Sequence, residues 1–538
     1  MSGWSVPPRA VCWLALSLST LATATAQAPI FTLVDPAPAA AQAWSASEEA
    51  RNAMIAQSRF VRVDTAALGA MPLGGAPPLG TFDADLFDER VTIEFTSRKW
   101  ALGYRVFDGH VVGRPSEVHF VLAPGGETWA SIDVEARQFV IAYTGVGDVH
   151  VLQRIDQRRL PAHMGCGTDH TTAVVAPPAQ LSSSGSPNTN CALTTIDIIV
   201  FYTPLARQNA GGVAAIEAAI VGAIAQANDG HMQSGVPAEF RLVHMAETNY
   251  AELGTSTDLA NLRADQDGFM DEVHALRTTY GADLVHLVTD PASPAYCGIA
   301  YLMTNLSTGF ASSAFGVTVR TCISNRSLTH ECGHNMGCHH DAANAGSALF
   351  PYSYGFRTAD DAYRTIMAYP PGVRINRWSS PNVTWLGYTM GVAGASDNVL
   401  TLNQTVDTVA QFHATTAPNW CQLGGGIAGA LGKPLQHGSG TMNLADPIDL
   451  TIGNYAPNSI GLVAIGASAL SIPAFGGIVE PSPDILLAVL GSGPDIVQNL
   501  DWMATLPPAF RVWLQTFFLD ATAVEGLSAT DALTVTIP

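Results

Sequence analysis

His330-Glu331-Cys332-Gly333-His334-Asn335-Met336-Gly337-Cys338-His339-His340-Asp341 is the stretch on which the reading of this chain turns. Two histidines four residues apart share one face of a helix and can grip a single metal ion. Glu331, beside the first of them, can reach a metal-bound water. Gly337 permits the left-handed turn that ends the helix and sends the chain back, so that His340 can supply a third nitrogen. Three protein ligands leave one position open for water, which marks a catalytic zinc rather than a structural one. His339 competes with His340 for the third place, and the spacing from Gly337 favours His340. The rival for the whole stretch is a buried polar helix without metal, but three histidines on an apolar helix would then be poorly satisfied.

The flanks of this motif alternate between element types. Strands are expected at Ile196–Tyr202, Glu239–Glu247, Ala282–Thr289 and Phe315–Arg320. Helices are expected at Val213–Gln233, Leu259–Thr279, Arg326–Met336 and Asn398–Phe412. This predicts an α/β (α+β) domain over residues 191–417, with helices packed on a mixed sheet and the motif on an active-site helix. Residues 27–190 read differently. After a Pro/Ala-rich opening and a short helix at Ser47–Gln57, strand-like runs recur at Arg90–Phe95, Trp100–Phe107, Glu117–Ala123, Trp129–Val134, Phe139–Tyr143 and Val149–Gln153, separated by turn residues. That is a mostly β unit, and Ala176–Asn190 reads as an exposed linker. Residues 424–538 are rich in Gly and Pro, with short apolar alternations such as Ile448–Ile452, Gly461–Ile465, Phe510–Phe518 and Ala532–Ile537. They suit a small β-sandwich.

The zinc motif, with its glycine and third histidine and the closing His340-Asp341, resembles that of the metzincin metalloproteases, and among them the reprolysin (adamalysin-like) group. Arg364-Thr365-Ile366-Met367-Ala368-Tyr369 resembles the methionine-containing turn that metzincins carry beneath the zinc. Cys297-Gly298-Ile299-Ala300-Tyr301-Leu302 and the segment Asn398–Phe412 are similar to those of bacterial peptidyl-Asp metalloendopeptidases. The resemblance covers roughly residues 191–417 and implies a zinc endopeptidase acting on protein or peptide substrates. His330, His334 and His340 would bind zinc, and Glu331 would serve as general base and then as proton donor. Met367 would form the base under the metal, and Asp341 would brace the turn. Tyr369 departs from the reprolysin pattern; in astacins and serralysins a tyrosine there stabilises the transition state, and packing is its competing role. The resemblance leaves room for calcium, but no dense acidic loop here calls for it.

The resemblance also implies that residues 27–190 are a prodomain. Cys166, in His163-Met164-Gly165-Cys166-Gly167, is then a candidate cysteine switch, its thiolate taking the open zinc position; an ordinary disulfide or free thiol is the competing reading. The hint of cleavage beside acidic residues makes Arg357, Arg364, Arg374 and Arg377 candidates to meet an acidic side chain, although each could equally pair with a carboxylate of the protein. Two other functions stay open. One is a zinc-binding module without activity, against which Glu331 speaks. The other is an adhesion protein whose C-terminal domain binds a surface or polymer.

The start of the chain reads as an export signal over residues 1–26: Arg9, an apolar run from Ala10 to Leu21 too short to span a membrane, and Ala24-Thr25-Ala26 for cleavage. No later segment reads as membrane-spanning. Secretion follows as the expectation, and with it a compartment that permits disulfides. Of the eight cysteines, Cys12 would leave with the signal, so an odd number remains. Cys297 with Cys322 and Cys191 with Cys421 are candidate bridges, and Cys332 and Cys338 are expected in disulfides too, Cys332 lying about 200° around the helix from His330 and so facing away from the metal. Acidic residues outnumber basic ones by 45 to 25, a net charge of −20, which argues against nucleic acid or an anionic membrane as partner.

Overall fold

The apolar stretch after Val213 offers no polar face, and its surroundings explain why. In the computed structural model, which describes residues 28–71, 79–161, 164–168, 193–429, 431–442, 447–493 and 495–538, Val213–Ser234 is one helix buried on almost every side. On one side lies a five-stranded sheet in the order Ala238–Glu247, Thr194–Tyr202, Leu284–Thr289, Phe315–Val319, Gly298–Ala300. Its first four strands run parallel, and only Gly298–Ala300 at the edge is antiparallel. A helix apolar all round belongs between two layers, and the second layer comes from the N-terminal part of the chain.

That layer is a nine-stranded antiparallel sheet. Seven of its strands, from Gly80–Asp85 through Val149–Ile155, follow one another as a meander. Side chains alternate between its faces. Phe95, Phe107, Phe120, Ile132, Phe139 and Leu152 fill a core of their own. Val106, Val121, Trp129 and Val140 point the other way and join the core of the long helix. The fit is close: a Cβ on Gly222 of that helix would lie 2.2 Å from the Trp129 ring, so only glycine lets this helix approach the sheet.

The C-terminal part is a six-stranded sheet facing a three-stranded one. Leu450 and Ile452 from the small sheet and Val463, Val512, Leu514 and Val535 from the large one share a single core. It is tied to the N-terminal sheet by the ion pair of buried Arg98 with Asp495, 3.1 Å, and by Trp100 stacked on His437.

Four sequence expectations need correction. The strand expected over Trp100–Phe107 is parts of two, Arg90–Ala101 and Tyr104–Val111, because Leu102 and Gly103 both take positive φ and turn the chain into a hairpin. The helix expected over Leu259–Thr279 is two, Thr255–Arg263 and Glu272–Tyr280. Between them the Asp271 carboxylate accepts hydrogen bonds from the backbone N–H groups of Asp267 and Gly268, and such side-chain capture of the backbone competes with helix. The helix expected at Ser47–Gln57 is Ala39–Arg51, with a strand at Ile55–Val63; Asn52 ends the helix, its side-chain oxygen accepting from the Met54 N–H. Cys332 and Cys338 are free and buried rather than disulfide-bonded, because both side chains are enclosed in the apolar core around the active-site helix. Cys297 and Cys322 do form a disulfide. Cys421 is also disulfide-bonded, while Cys191 and the expected export signal and linker lie outside the described residues. No single helix among the described residues is long and apolar enough to cross a membrane.

Candidate active site

The active-site helix, Ser327–Asn335, enters from a left-handed Arg326 and is wholly buried. His330 and His334 stand one turn apart on it, as four-residue spacing requires. The His330 Nδ1–H donates to the Ile366 carbonyl (2.8 Å) and that of His334 to the Cys338 carbonyl (2.9 Å). These bonds fix both tautomers and leave each Nε2 lone pair facing inward. Gly337, at φ +88°, turns the chain. His340 then comes back over the helix, its Nε2 3.0 Å from that of His334, which is itself 3.2 Å from that of His330. His339 points elsewhere, its Nδ1 accepting from the His340 N–H and its ring stacking on Tyr354.

The donor set fits a zinc ion. Burial holds His330 and His334 well below the usual histidine range, so they are neutral, as ligands must be. One donor atom each from His330, His334, His340 and Cys166 lies within 4.8 Å of the others. The Cys166 Sγ is 3.5 Å from His334 Nε2 and 3.2 Å from Glu331 Oε2. Burial and the Glu331 carboxylate push its thiol up, and a cation among the nitrogens is what would favour the thiolate. Burial also pushes Glu331 up, to about 8.

Cys166 is brought there by its neighbours. The segment around it pairs, in parallel, with the edge strand Gly298–Ala300: the Gly167 N–H donates to the Gly298 carbonyl (3.0 Å) and that of Cys297 to the Gly165 carbonyl (2.9 Å). The glycines allow the close approach. A Cβ on Gly167 would lie 2.7 Å from the Tyr296 ring, and one on Gly298 2.4 Å from a Glu331 oxygen. Tyr369 holds the same segment, donating from its hydroxyl to the Cys166 carbonyl (2.6 Å) and accepting from the Cys166 N–H (3.2 Å); its ring lies 4.3 Å from that of His340.

Met367 is fully buried beneath the helix. Gly333, whose role the sequence did not suggest, makes room for it: a Cβ there would be 2.7 Å from the Met367 Sδ and 2.9 Å from the Trp378 ring. The Asp341 carboxylate accepts from the Tyr369 N–H (2.9 Å) and so joins the two turns without entering the donor set. Among the arginines, Arg357 pairs with Asp361 and Arg377 with Glu117. Arg364 and Arg374 are buried and donate to backbone carbonyls, both to Ala368, with Gly372 binding Arg364 and Asn325 binding Arg374. Burial lowers Arg374 to about 10, and Glu331 lies near enough to oppose that shift.

Residues 192–379 match the family described as Metallo-peptidase family M12, Reprolysin_5. This stretch is a family M12 metallopeptidase domain. Curated relatives that the chain matches are named peptidyl-Asp metalloendopeptidases. That of Xanthomonas campestris pv. campestris is 34% identical over 274 residues, 49% of this chain and 62% of that protein. That of Stenotrophomonas maltophilia is 32% identical over 283 residues, 50% of this chain and 64% of that protein. That of Pseudomonas aeruginosa is 33% identical over 262 residues, 43% of this chain and 42% of that protein. The chain thus spans less than two thirds of the length of these relatives. A solved structure, metalloproteinase-II from Bacteroides fragilis, aligns at 12% identity over 51% of this chain and 84% of that one with a TM-score of 0.31, a likeness too low to carry an argument. The case for a metal site at His330, His334 and His340 therefore rests on their geometry.

Proposed function

We propose that this chain is a secreted zinc-dependent endopeptidase made as a zymogen, with Cys166 as the group that silences it. The carrying observation is the Cys166 thiol placed as the fourth donor beside His330, His334 and His340, with Glu331 in contact. A zinc ion held by the three histidines supplies a Lewis acid and makes bound water acidic near neutral pH. Once Cys166 leaves, the Glu331 carboxylate takes a proton from the attacking water and returns it to the leaving amine. The edge strand Gly298–Ala300, which now pairs with the Cys166 segment, becomes available to hold an extended peptide by β-augmentation. Residues 27–190 act in this reading as the prodomain. Secretion rests on the segment from Arg9 to Ala26.

The test compares unprocessed protein, processed protein and variants on an unstructured protein substrate. Processed enzyme should be stopped by a chelator and restored by zinc, and Glu331→Ala should lose at least about a thousandfold in kcat. Cys166→Ser in the unprocessed chain should raise activity; equal, low activity in both would remove Cys166 from its assigned role.

The printed names of the relatives suggest a preference for aspartate, and Arg374 supports one here, being the buried cation that lies within electrostatic reach of both Glu331 and Cys166 without a carboxylate partner among the described residues. Mapping the cleavage sites of Arg374→Gln should show the acidic preference relaxed while chelator sensitivity stays. A separate binding role for the C-terminal unit draws support from the exposed Leu470, Ile472 and Phe475 on one hairpin. Adsorption to an insoluble polymer that Phe475→Ser leaves intact would count against it.

A further inference from the structure

A second group of donors lies outside the catalytic centre, where the N-terminal sheet meets the long helix. Glu117 and His119 stand on the strand Ser116–Leu122 and Asp229 on the helix Val213–Ser234, and one donor atom from each lies within 4.8 Å of the others. His119 is 2% exposed. Its Nδ1 faces the Asp108 carboxylate at 3.0 Å, which is itself held by Ser97 and Lys99. A carboxylate on Nδ1 is the arrangement that orients a metal-binding histidine and leaves the Nε2 lone pair available. That Nε2 is buried without a hydrogen-bond partner, and so is the Oδ2 of Asp229. Two buried, unpartnered polar atoms in one cluster of donors are stabilised by a cation held among them.

The surrounding charges point the same way. Asp108, Glu117 and Asp229 are opposed by Lys99 and by Arg377, which pairs with Glu117. Arg326 is nearby but matched by Asp133. Glu239, also near Lys99, adds another negative charge. Burial opposes charge on His119, but Asp108, Asp229 and Glu117 outweigh it and push the imidazole up, so an ion entering here displaces a proton; with that proton gone the group is net negative, and one imidazole with two carboxylates is a donor set that suits zinc and related divalent ions.

We propose that Glu117, His119 and Asp229 form a second divalent-metal site, distinct from the catalytic centre, which fastens the N-terminal sheet to the long helix of the M12 domain. Its meaning as a zymogen lock rests on the reading of residues 27–190 as a prodomain; metal binding itself does not, and it is measured without any peptidase assay. The experiment uses the full chain carrying Glu331→Gln to prevent self-cleavage, equilibrated with zinc and analysed by elemental mass spectrometry. The parent should hold about two zinc ions per chain. Asp229→Asn and His119→Gln, two variants that keep shape, should each hold about one, and a His330→Ala/His334→Ala variant should keep the ion held by the second site. A parent with about one ion, or site variants with the parent's content, would overturn the proposal. Circular dichroism of each variant identifies misfolding, and a folded Asp229→Asn alone is enough to decide.

Discussion

At the scale of single residues, the site depends as much on what is missing from side chains as on what is present. Gly333 sits between His330 and His334 in sequence, yet its importance lies where Met367 and Trp378 press against the helix. Gly333→Ala overpacks that contact and should cost about 1–3 kcal/mol, seen as a lowered melting temperature with weaker zinc retention; a melt identical to wild type would show that the methionine turn yields. Under the proposed zymogen reading, Tyr369 divides its work between two states. In the unprocessed chain its hydroxyl is committed to the Cys166 backbone. In the proposed processed enzyme that hydroxyl would no longer be bound to Cys166 and, beside His340, would be placed to donate to a developing oxyanion. Tyr369→Phe should therefore make Cys166 react faster with a thiol reagent in the unprocessed chain and lower kcat about tenfold or more in the processed one. Faster thiol reaction with unchanged kcat would leave Tyr369 an anchor of the inhibitory segment and nothing else.

At the scale of elements, periodicity and motif spacing served well where a segment's own side chains decide its form. The parallel strands beside the motif, the long helix and most strands of the N-terminal meander end within a few residues of expectation. Segments decided by the hydrogen bonds of a single side chain did not, as at Asn52 and at Asp271. Long-range partners were also hidden: nothing local in Gly-Cys-Gly says that it will pair with Gly298, and nothing in Glu117 or His119 announces Asp229 across the interface. A comparable long-range link joins Glu48, on the helix Ala39–Arg51, to Arg320 just before the active-site helix, with Asp290 as a third member. Burial alone would raise the Glu48 carboxyl, but Arg320 and then Arg51 outweigh it and hold it below its ordinary 4.5. A depressed carboxylate contributes its stability above that value and loses it as pH falls through the lowered one. The docking of this helix should thus hold from neutral pH down to about 4.5 and weaken only below it, followed as protease sensitivity of residues 28–71. Arg320→Met, which leaves Glu48 to Arg51 and takes the close cation from buried Asp290, should cost about 3–5 kcal/mol at neutral pH, and less once the carboxylates are protonated. Equal cost at both pH values would mean that packing rather than charge holds the helix.

At the scale of the whole molecule, the N-terminal sheet does more than deliver Cys166. Val106, Val121, Trp129 and Val140 belong to the same continuous core as Ile216, Ile220 and Ile224 of the long helix, so the N-terminal unit, the prodomain of the proposed zymogen, and the M12 domain share an interior. Cutting the chain between them removes a covalent link and leaves that shared core intact, because apolar surface stays buried as long as the alternative is water. Cleavage in the linker and loss of the N-terminal unit are then two events. A chain cut once should still elute from gel filtration as one particle containing both pieces, with Cys166 over the metal and little activity. Full activity should arrive only when the N-terminal sheet is itself digested, or is stripped by mild denaturant. At that point the uncovered face of the long helix should bind a hydrophobic dye that the intact chain does not. If the two pieces instead part immediately after the cut, with no rise in dye binding, the shared core contributes little to their association and inhibition depends on tethering alone. In that case Trp129→Ala should leave latency untouched, whereas a core that holds the units together makes the same substitution cost about 3–5 kcal/mol and speeds activation.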